Sequence, residues 1–363
     1  MVTNDAPAAP PPVAPGEVAP SRHFWSHLFN VAVLVGGGTA LAVMMHRLGW
    51  ANARAVIADV GGWFFVILGL DLVGMALDAG AIHSFMRPES RMVSYWRVLA
   101  AQASGRAINI FVPGGVVGEA TKVTMLVSHA PRDRVVSSIV LFNLATFYIS
   151  VAIVLVGVPI TLLSVDLPHE LALAVWVALA VLVPVVLGIG VVIHRGAIDT
   201  ALSTARTLGL ISKDRAAKWR SKAGELDRHL KELHSDTSPG TRNAIALLLI
   251  SRVVAWTATT VVLASIGVTL NATLLVGVLS VGVLISWISA IVPFGLGVAD
   301  GSNYALFDAL GASGAHGVFV TLLNRARTLA IALIGLLVMA TAHAANRISV
   351  ARRHRRFAER VRT

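Results

Sequence analysis

The chain has 363 residues, 56% of them hydrophobic and only 13% charged, with a mean hydropathy of +0.75 and a formal net charge of +11. A soluble domain carries about 25% charged residues, so a soluble enzyme fold is excluded, and the Leu-, Ala-, Val- and Gly-rich runs lack the alternation of an outer-membrane barrel. The absence of cysteine removes disulfides, thiolate metal sites and cysteine nucleophiles, and the positive excess reads as the bias of membrane-protein loops rather than as nucleic-acid binding.

The chain opens on a Pro/Ala-rich tail over 1–26; its first 20 residues hold six of the 14 prolines and no Lys or Arg, the composition of an extended, disordered tail and not of a signal peptide. Apolar runs of about 18 or more residues read as membrane helices. Six are expected, over 28–46, 55–82, 135–160, 171–194, 243–266 and 317–343. Two further apolar regions break in the middle: 98–129 at Pro113-Gly114-Gly115, and 272–311 at Pro293-Phe294-Gly295-Leu296-Gly297. Each limb of the first, about 15 residues, spans roughly 22 Å at 1.5 Å per residue. That is short of a hydrocarbon core of about 30 Å, so a re-entrant hairpin is expected. The second region is either a hairpin or a full span followed by a half-helix. Membrane half one thus covers 27–194 and half two 242–345, with a linker over 195–241 and a basic tail over 346–363. On the linker, Ala216, Trp219, Ala223, Leu226, Leu230 and Leu233 form an apolar stripe among Lys213, Arg215, Lys218, Arg220 and Lys222. A helix lying on an anionic membrane surface fits it, with a short dimer seam as the alternative. Segments 213–234 and 347–362 are the expected lipid-surface contacts, and a homo-oligomer is one possible assembly.

The basic residues orient this layout. With the linker on the cytoplasmic side, its nine Lys and Arg stand inside, together with seven on 347–363, three on 83–97, two on 131–134 and Arg22. The outside loops hold only Arg47 and Arg54. This is the positive-inside pattern of a multi-pass cytoplasmic-membrane protein with its C-terminus inside. The two halves then have opposite topology. Val112-Pro113-x-Gly115 matches Val292-Pro293-x-Gly295; Glu119 and Asp300 follow their prolines by six and seven residues; Asn143 and Asn324 follow these carboxylates by 24 each. Inverted repeats with broken helices are the architecture of secondary transporters.

Ionisable side chains at membrane depth are costly and are functional candidates by default. Here they are Asp71, Arg106, Glu119, Lys122, Arg252, Asp300, Asp308, Arg325 and Arg327. At Pro113 and Pro293 helix hydrogen bonding stops, freeing backbone N–H groups to face an anion. Arg106 and Lys122 flank the first break and Arg325 and Arg327 follow the second, an arrangement suited to a phosphate headgroup, while Glu119 and Asp300 could hold an amine, sugar hydroxyls or a proton. The competing reading is mutual neutralisation, with Glu119 paired to Lys122 and Asp71 to Arg252. Asp78 and Asp308, near span ends, are expected to be solvated, and Asn109, Asn143 and Asn324 to make interhelical hydrogen bonds. Gly311-Ala312-Ser313-Gly314 has the form of an intramembrane serine-protease motif, but His316 is too close in sequence and His343 about 40 Å away at helical rise, so no base can reach the serine. The 12 histidines lack metal-ligand spacing. No cofactor is expected.

Asn109-x-x-x-Pro113 leading into Gly118-Glu119-Ala120-Thr121-Lys122 resembles the Asn…Pro…Gly-Glu-x-x-Arg element of the lysylphosphatidylglycerol synthase transmembrane region, a flippase-like family. Pro293-Phe294-Gly295-Leu296-Gly297-Val298-Ala299-Asp300-Gly301 resembles its Pro-Gly-Gly-Leu-Gly-x-Arg-Glu-Gly element, and Asn324-Arg325 resembles a Tyr-Arg pair on the following span. Lys122 and Asp300 are conservative replacements; Ala299 stands where the family often has Arg, and Phe294 where it has Gly. The resemblance covers roughly 28–345. It implies an all-α fold and lipid translocation or lipid binding, on a phospholipid, glycolipid or polyprenyl- or hopanoid-type lipid. Only 20 residues follow the last expected span, so lipid aminoacylation is not expected and the chain is read as no enzyme. The substrate-binding set is Arg106, Asn109, Pro113, Gly115, Glu119, Lys122, Pro293, Gly295, Gly297, Asp300, Asn324 and Arg325. The alternatives are a secondary transporter of a small anion and a non-transporting accessory subunit of a lipid-modifying pathway.

Overall fold

A computed structural model describes residues 58–111, 116–165, 169, 172–173, 175–184, 239–289 and 297–362. These are helical throughout, with no strand among the described residues. In chain order the elements are α1 (Trp63–Phe85), a 3₁₀ turn (Glu89–Met92), α2 (Tyr95–Phe111), α3 (Val116–Leu126), α4 (Arg132–Ser164), α5 (Val175–Pro184), α6 (Pro239–Ser265), α7 (Ala272–Ser289), α8 (Val298–Ala309) and α9 (Gly314–Arg362). Five helices are long and apolar enough to cross a membrane: α1, α4, α6, α7 and the stretch Gly314–Ala342 of α9. Four of these are the spans expected at 55–82, 135–160, 243–266 and 317–343. The expected span at 28–46, the linker stripe and the Pro113 and Pro293 breaks lie outside the described residues, and of the span at 171–194 the core is α5.

The sequence builds these helices as a membrane solvent requires. Each backbone polar group must be satisfied within its own segment, and hydroxyls inside the helices are satisfied locally: Ser104, Thr121, Ser137 and Ser150 each donate to the carbonyl four residues back, at 2.7–2.9 Å. Apolar side chains such as Phe65, Leu163, Val253 and Leu337 point outward, which costs nothing where the surroundings are lipid. Association then rests on close packing through small residues. α1 and α6 run antiparallel, with Ser251 against Gly74 and Leu247 against Gly80. Gly157 of α4 takes Ser280 of α7, and Phe147 stacks on Trp287 at 6.0 Å between ring centres. Gly335 of α9 takes the backbone of Ala103 on α2. The first limb of each broken region therefore packs on the last long helix of the opposite half.

Both broken regions fold back on themselves. Gly105 of α2 lies against Lys122 and Gly118, and Asn109 against Gly118 and Glu119, so α2 and α3 are antiparallel. A Cβ on Gly105 would sit 2.6 Å from the Lys122 chain, and one on Gly118 would overlap Asn109; the limbs touch because both crossing positions lack a side chain. In the second region Leu310, just past α8, lies against Gly277 of α7. At 18 residues, α7 is about 27 Å long, near a full crossing, while α8 with 12 is a half-length return.

The two hairpins enter from opposite ends of the bundle. One core cluster joins the end of α1 (Ile82, Phe85), the start of α2 (Val98), the end of α3 (Leu126) and the starts of α4 and α6 (Val135, Ala244). The other joins the start of α1 (Phe64), the ends of α4 and α6 (Val158, Val262), the start of α7 (Leu274), the end of α8 (Phe307) and the start of α9 (Val320). Arg87, Arg91, Arg97, Arg132, Arg134 and Arg242 all lie at the first end, where Arg134 donates to Glu89 at 2.8 Å. The described turns at the second end, 265–271 and 310–313, contain no Lys or Arg.

Candidate functional site

The membrane-depth charges fall into three clusters. The first is local to hairpin one. Lys122 Nζ donates to Glu119 Oε1 at 2.8 Å, the i,i+3 pair expected from the sequence. Asn109, across the hairpin, donates its Nδ2 to the same oxygen at 3.2 Å and accepts the Gly118 N–H at 2.8 Å. Asn109 thus clamps the two limbs at the crossing where glycine removes the steric barrier. Lys122 is 4% exposed, its ammonium 5.6 Å above the Phe142 ring; a cation so buried needs such partners. Glu119 Oε2 is buried without a hydrogen-bond partner among the described residues.

The second cluster repeats the theme at hairpin two. Gly297 precedes α8 with φ +79°, a backbone state that disfavours any side chain. Its N–H donates to Asp300 Oδ2 at 3.1 Å, so the carboxylate caps its own helix. Arg325 of α9 donates to the same oxygen at 2.8 Å. Glu119 and Asp300 both stand in the first turn of the second limb of their hairpins. Glu119 takes its cation from its own helix, Asp300 from the next.

The third cluster ties the two halves together and corrects the sequence reading. Asp71 of α1 does not pair with Arg252. It accepts two hydrogen bonds from Arg327 of α9, from Nε at 2.9 Å and from Nη2 at 2.5 Å, and the third arm of that guanidinium reaches Asn324 Oδ1 at 2.9 Å. The cause is packing: α9 faces α1 at this depth, and the planar fork of arginine matches a carboxylate. Asp78 is likewise not solvated. It is 6% exposed and accepts the Ser251 hydroxyl at 2.7 Å, because Gly74 lets α6 close over this face of α1. Asp308 is exposed, as expected, and Asn143 makes no hydrogen bond of its side chain among the described residues.

Two cavities lie beside these clusters. The first, about 230 Å³, is walled by α1, α2, α3, α4 and α6 and gathers Asp71, Asp78, Arg106, Asn109, Lys122 and Arg252. The second, about 220 Å³, is walled by α4, α6, α7, α8 and α9, with Arg252, Asn303, Asn324 and Arg327 among Ile153, Trp256, Val278 and Val283. Arg252 and Ala255 of α6 line both. Of the expected substrate-binding residues, Arg106, Asn109 and Lys122 meet in the first cavity and Asn324 lines the second. Glu119 stands behind Lys122, and Gly297, Asp300 and Arg325 line neither cavity. Pro113, Gly115, Pro293 and Gly295 lie outside the described residues. The sequence reading held Asp71, Arg252 and Arg327 as membrane-depth candidates but left them, with Asp78, out of the substrate-binding set. For Asp71 and Asp78 the signal was the spacing Asp71, Gly74, Asp78, which puts two carboxylates and a glycine on one helix face. Among the described residues no three His, Asp or Glu side chains converge as a metal site.

No curated protein and no solved structure matches the chain. A family model does, the lysylphosphatidylglycerol synthase TM region, over residues 29–356. That match spans both halves and both hairpins, and the chain belongs to the lysylphosphatidylglycerol synthase transmembrane-region family, a multi-pass membrane family tied to lipid metabolism or translocation.

Proposed function

We propose that the protein carries the headgroup of a membrane lipid between the leaflets of the cytoplasmic membrane, using two halves related as an inverted repeat and no chemical step of its own. The observation that carries this reading is the pair of amphipathic cavities with charged side chains in their walls, one beside each hairpin, that share Arg252 and Ala255 of α6. A carrier needs a site that can be offered to either side, and two cavities back to back at membrane depth supply the two ends of that path.

Several features support the parts of this reading. The hairpins enter from opposite ends, and the pairings α2 on α9 and α7 on α4 exchange as a two-fold relation between halves requires, with α1 on α6 at the centre. The basic first end is assigned to the cytoplasm by the positive-inside rule, which makes the hairpins re-entrant from opposite faces and puts the C-terminus inside. The linker stripe 213–234 and the tail 347–362 then meet the anionic cytoplasmic leaflet. A lipid is favoured over a small soluble anion by the second cavity, where Ile153, Trp256, Val278 and Val283 stand opposite Arg252 and Arg327; this is an amphipathic wall for an amphipathic ligand.

The test is movement of fluorescent phospholipid across proteoliposome bilayers, read by quencher accessibility. The wild-type chain should move lipid faster than empty vesicles. Glu119→Gln with Asp300→Asn should abolish movement while the protein still folds and inserts. Normal transport by this double variant removes the two carboxylates from the working site, and no movement by the wild type refutes the carrier.

A further inference from the structure

The charges of the first cavity do not cancel. Asp71 is saturated by the Arg327 fork, Lys122 by Glu119, and Asp78 takes the Ser251 hydroxyl. Arg106 and Arg252 make no ion pair among the described residues. Counting Glu119 and Arg327 with the cavity's own ionised groups, one formal positive charge is in excess. Of the two free cations, only Arg252 also lines the second cavity. Its Nε is buried and has no acceptor among the described residues. A buried N–H of a permanently charged group is expensive to leave unmade, and both oxygens of Asp71 and one of Asp78 are already engaged.

We propose that Arg252 is the phosphate ligand common to both cavities, the point at which an oxyanion is handed from one to the other. The guanidinium is suited to such a hand-over because it stays charged and because its planar fork takes two oxygens of a phosphate monoester or diester at once. The flanking residues fit it as well. Ser251 engages α1, and Ala255, one turn on, is too small to close the wall between the cavities. The Asp71–Arg327 pair acts in this scheme as a shield, since a free Asp71 would compete with phosphate for Arg252. The assignment rests on the carrier reading only for the source of the phosphate, a lipid headgroup in preference to a free ion.

The experiment is ligand-induced thermal stabilisation of the full chain in detergent, titrated with short-chain phosphatidylglycerol and, separately, with inorganic phosphate. Arg252→Gln should weaken phosphatidylglycerol binding roughly ten- to a hundredfold, the loss of a charge-assisted contact, and leave the ligand-free melting temperature unchanged, because the side chain holds no partner. Arg252→Lys, which keeps the charge without the fork, should weaken binding severalfold and decides the matter should the Gln variant melt early. Asp308→Asn, exposed and outside both cavities, should bind as the wild type does. Wild-type affinity in Arg252→Gln overturns the assignment and leaves the carrier reading standing. Equal wild-type affinity for free phosphate keeps Arg252 as the ligand and overturns a lipid as its source. Binding of neither probe by the wild type overturns both. In proteoliposomes of this cysteine-free chain, Arg252→Cys should react with a water-soluble thiol reagent applied from either side; reaction from one side only overturns the shared position.

Discussion

Arg327→Gln removes both hydrogen bonds that Asp71 receives and leaves a carboxylate whose side chain is 7% exposed, with Arg252 and Arg106 of the shared cavity as the cations it could recruit only by moving them. Breaking a buried pair in this way costs about 3–5 kcal/mol. Asp71→Asn is the milder change, for two reasons visible in the geometry. The orphaned Arg327 is more exposed, at 18%, and it keeps its hydrogen bond to Asn324. Its cost should fall to about 2–3 kcal/mol, at or below the low end of that range. The double variant replaces the pair by two neutral amides and should recover part of the loss, with a coupling energy of about 1–3 kcal/mol. Denaturant unfolding in mixed micelles, followed by tryptophan fluorescence, measures all three. Costs under about 1 kcal/mol for both single variants, or strict additivity in the double, would refute the view that this pair holds α1 to α9.

Two further outcomes follow from the fold. Gly118→Ala would push a methyl group into Asn109 and the Gly105 carbonyl and should destabilise by about 1–3 kcal/mol, whereas Gly69→Ala, with open space around it, should be neutral or stabilising by up to about 1 kcal/mol; equal melting temperatures for the two would remove the steric account of the hairpin. Single cysteines at Arg91 and Asn271, both exposed and at opposite ends of the bundle, should be labelled in intact cells only at 271; labelling of both from outside would reverse or break the proposed topology.

What the sequence disclosed was the local part of the structure. Hydropathy located the described spans, and the apolar limbs on either side of the two expected breaks are described as α2, α3, α7 and α8, because helix length is written in neighbouring residues. The Glu119–Lys122 pair was legible for the same reason, being three residues apart on one face. Asp71–Arg327 was not, with 256 positions between partners; several cations were available to Asp71, and only the packing of α9 on α1 selects among them. Asp78 illustrates a second limit. Its place near the end of a span suggested solvent, yet α6 buries it through the contact of Ser251 with Gly74. Asn109 was expected to make an interhelical hydrogen bond and does, to Glu119 and Gly118 across the hairpin; which partners it takes was not legible, since Gly118 had to be close for the clamp to exist. Arg252 was visible only as one more membrane-depth charge; its position between two cavities is a property of five helices at once.

The exchange of hairpins between halves has a consequence in time. The groove that α2 needs is on α9, and Ala103 leaves the ribosome 232 residues ahead of Gly335. At about 5–20 residues per second that interval is roughly 12–46 seconds, during which the first hairpin is made but its docking surface is not. The second hairpin faces no such wait, because α4 is already in place when α7 emerges. The two hairpins are therefore completed unequally: the first is docked only by the later α9, and a nascent chain stopped before α9 leaves the limb that carries Arg106 and Asn109 without its neighbour.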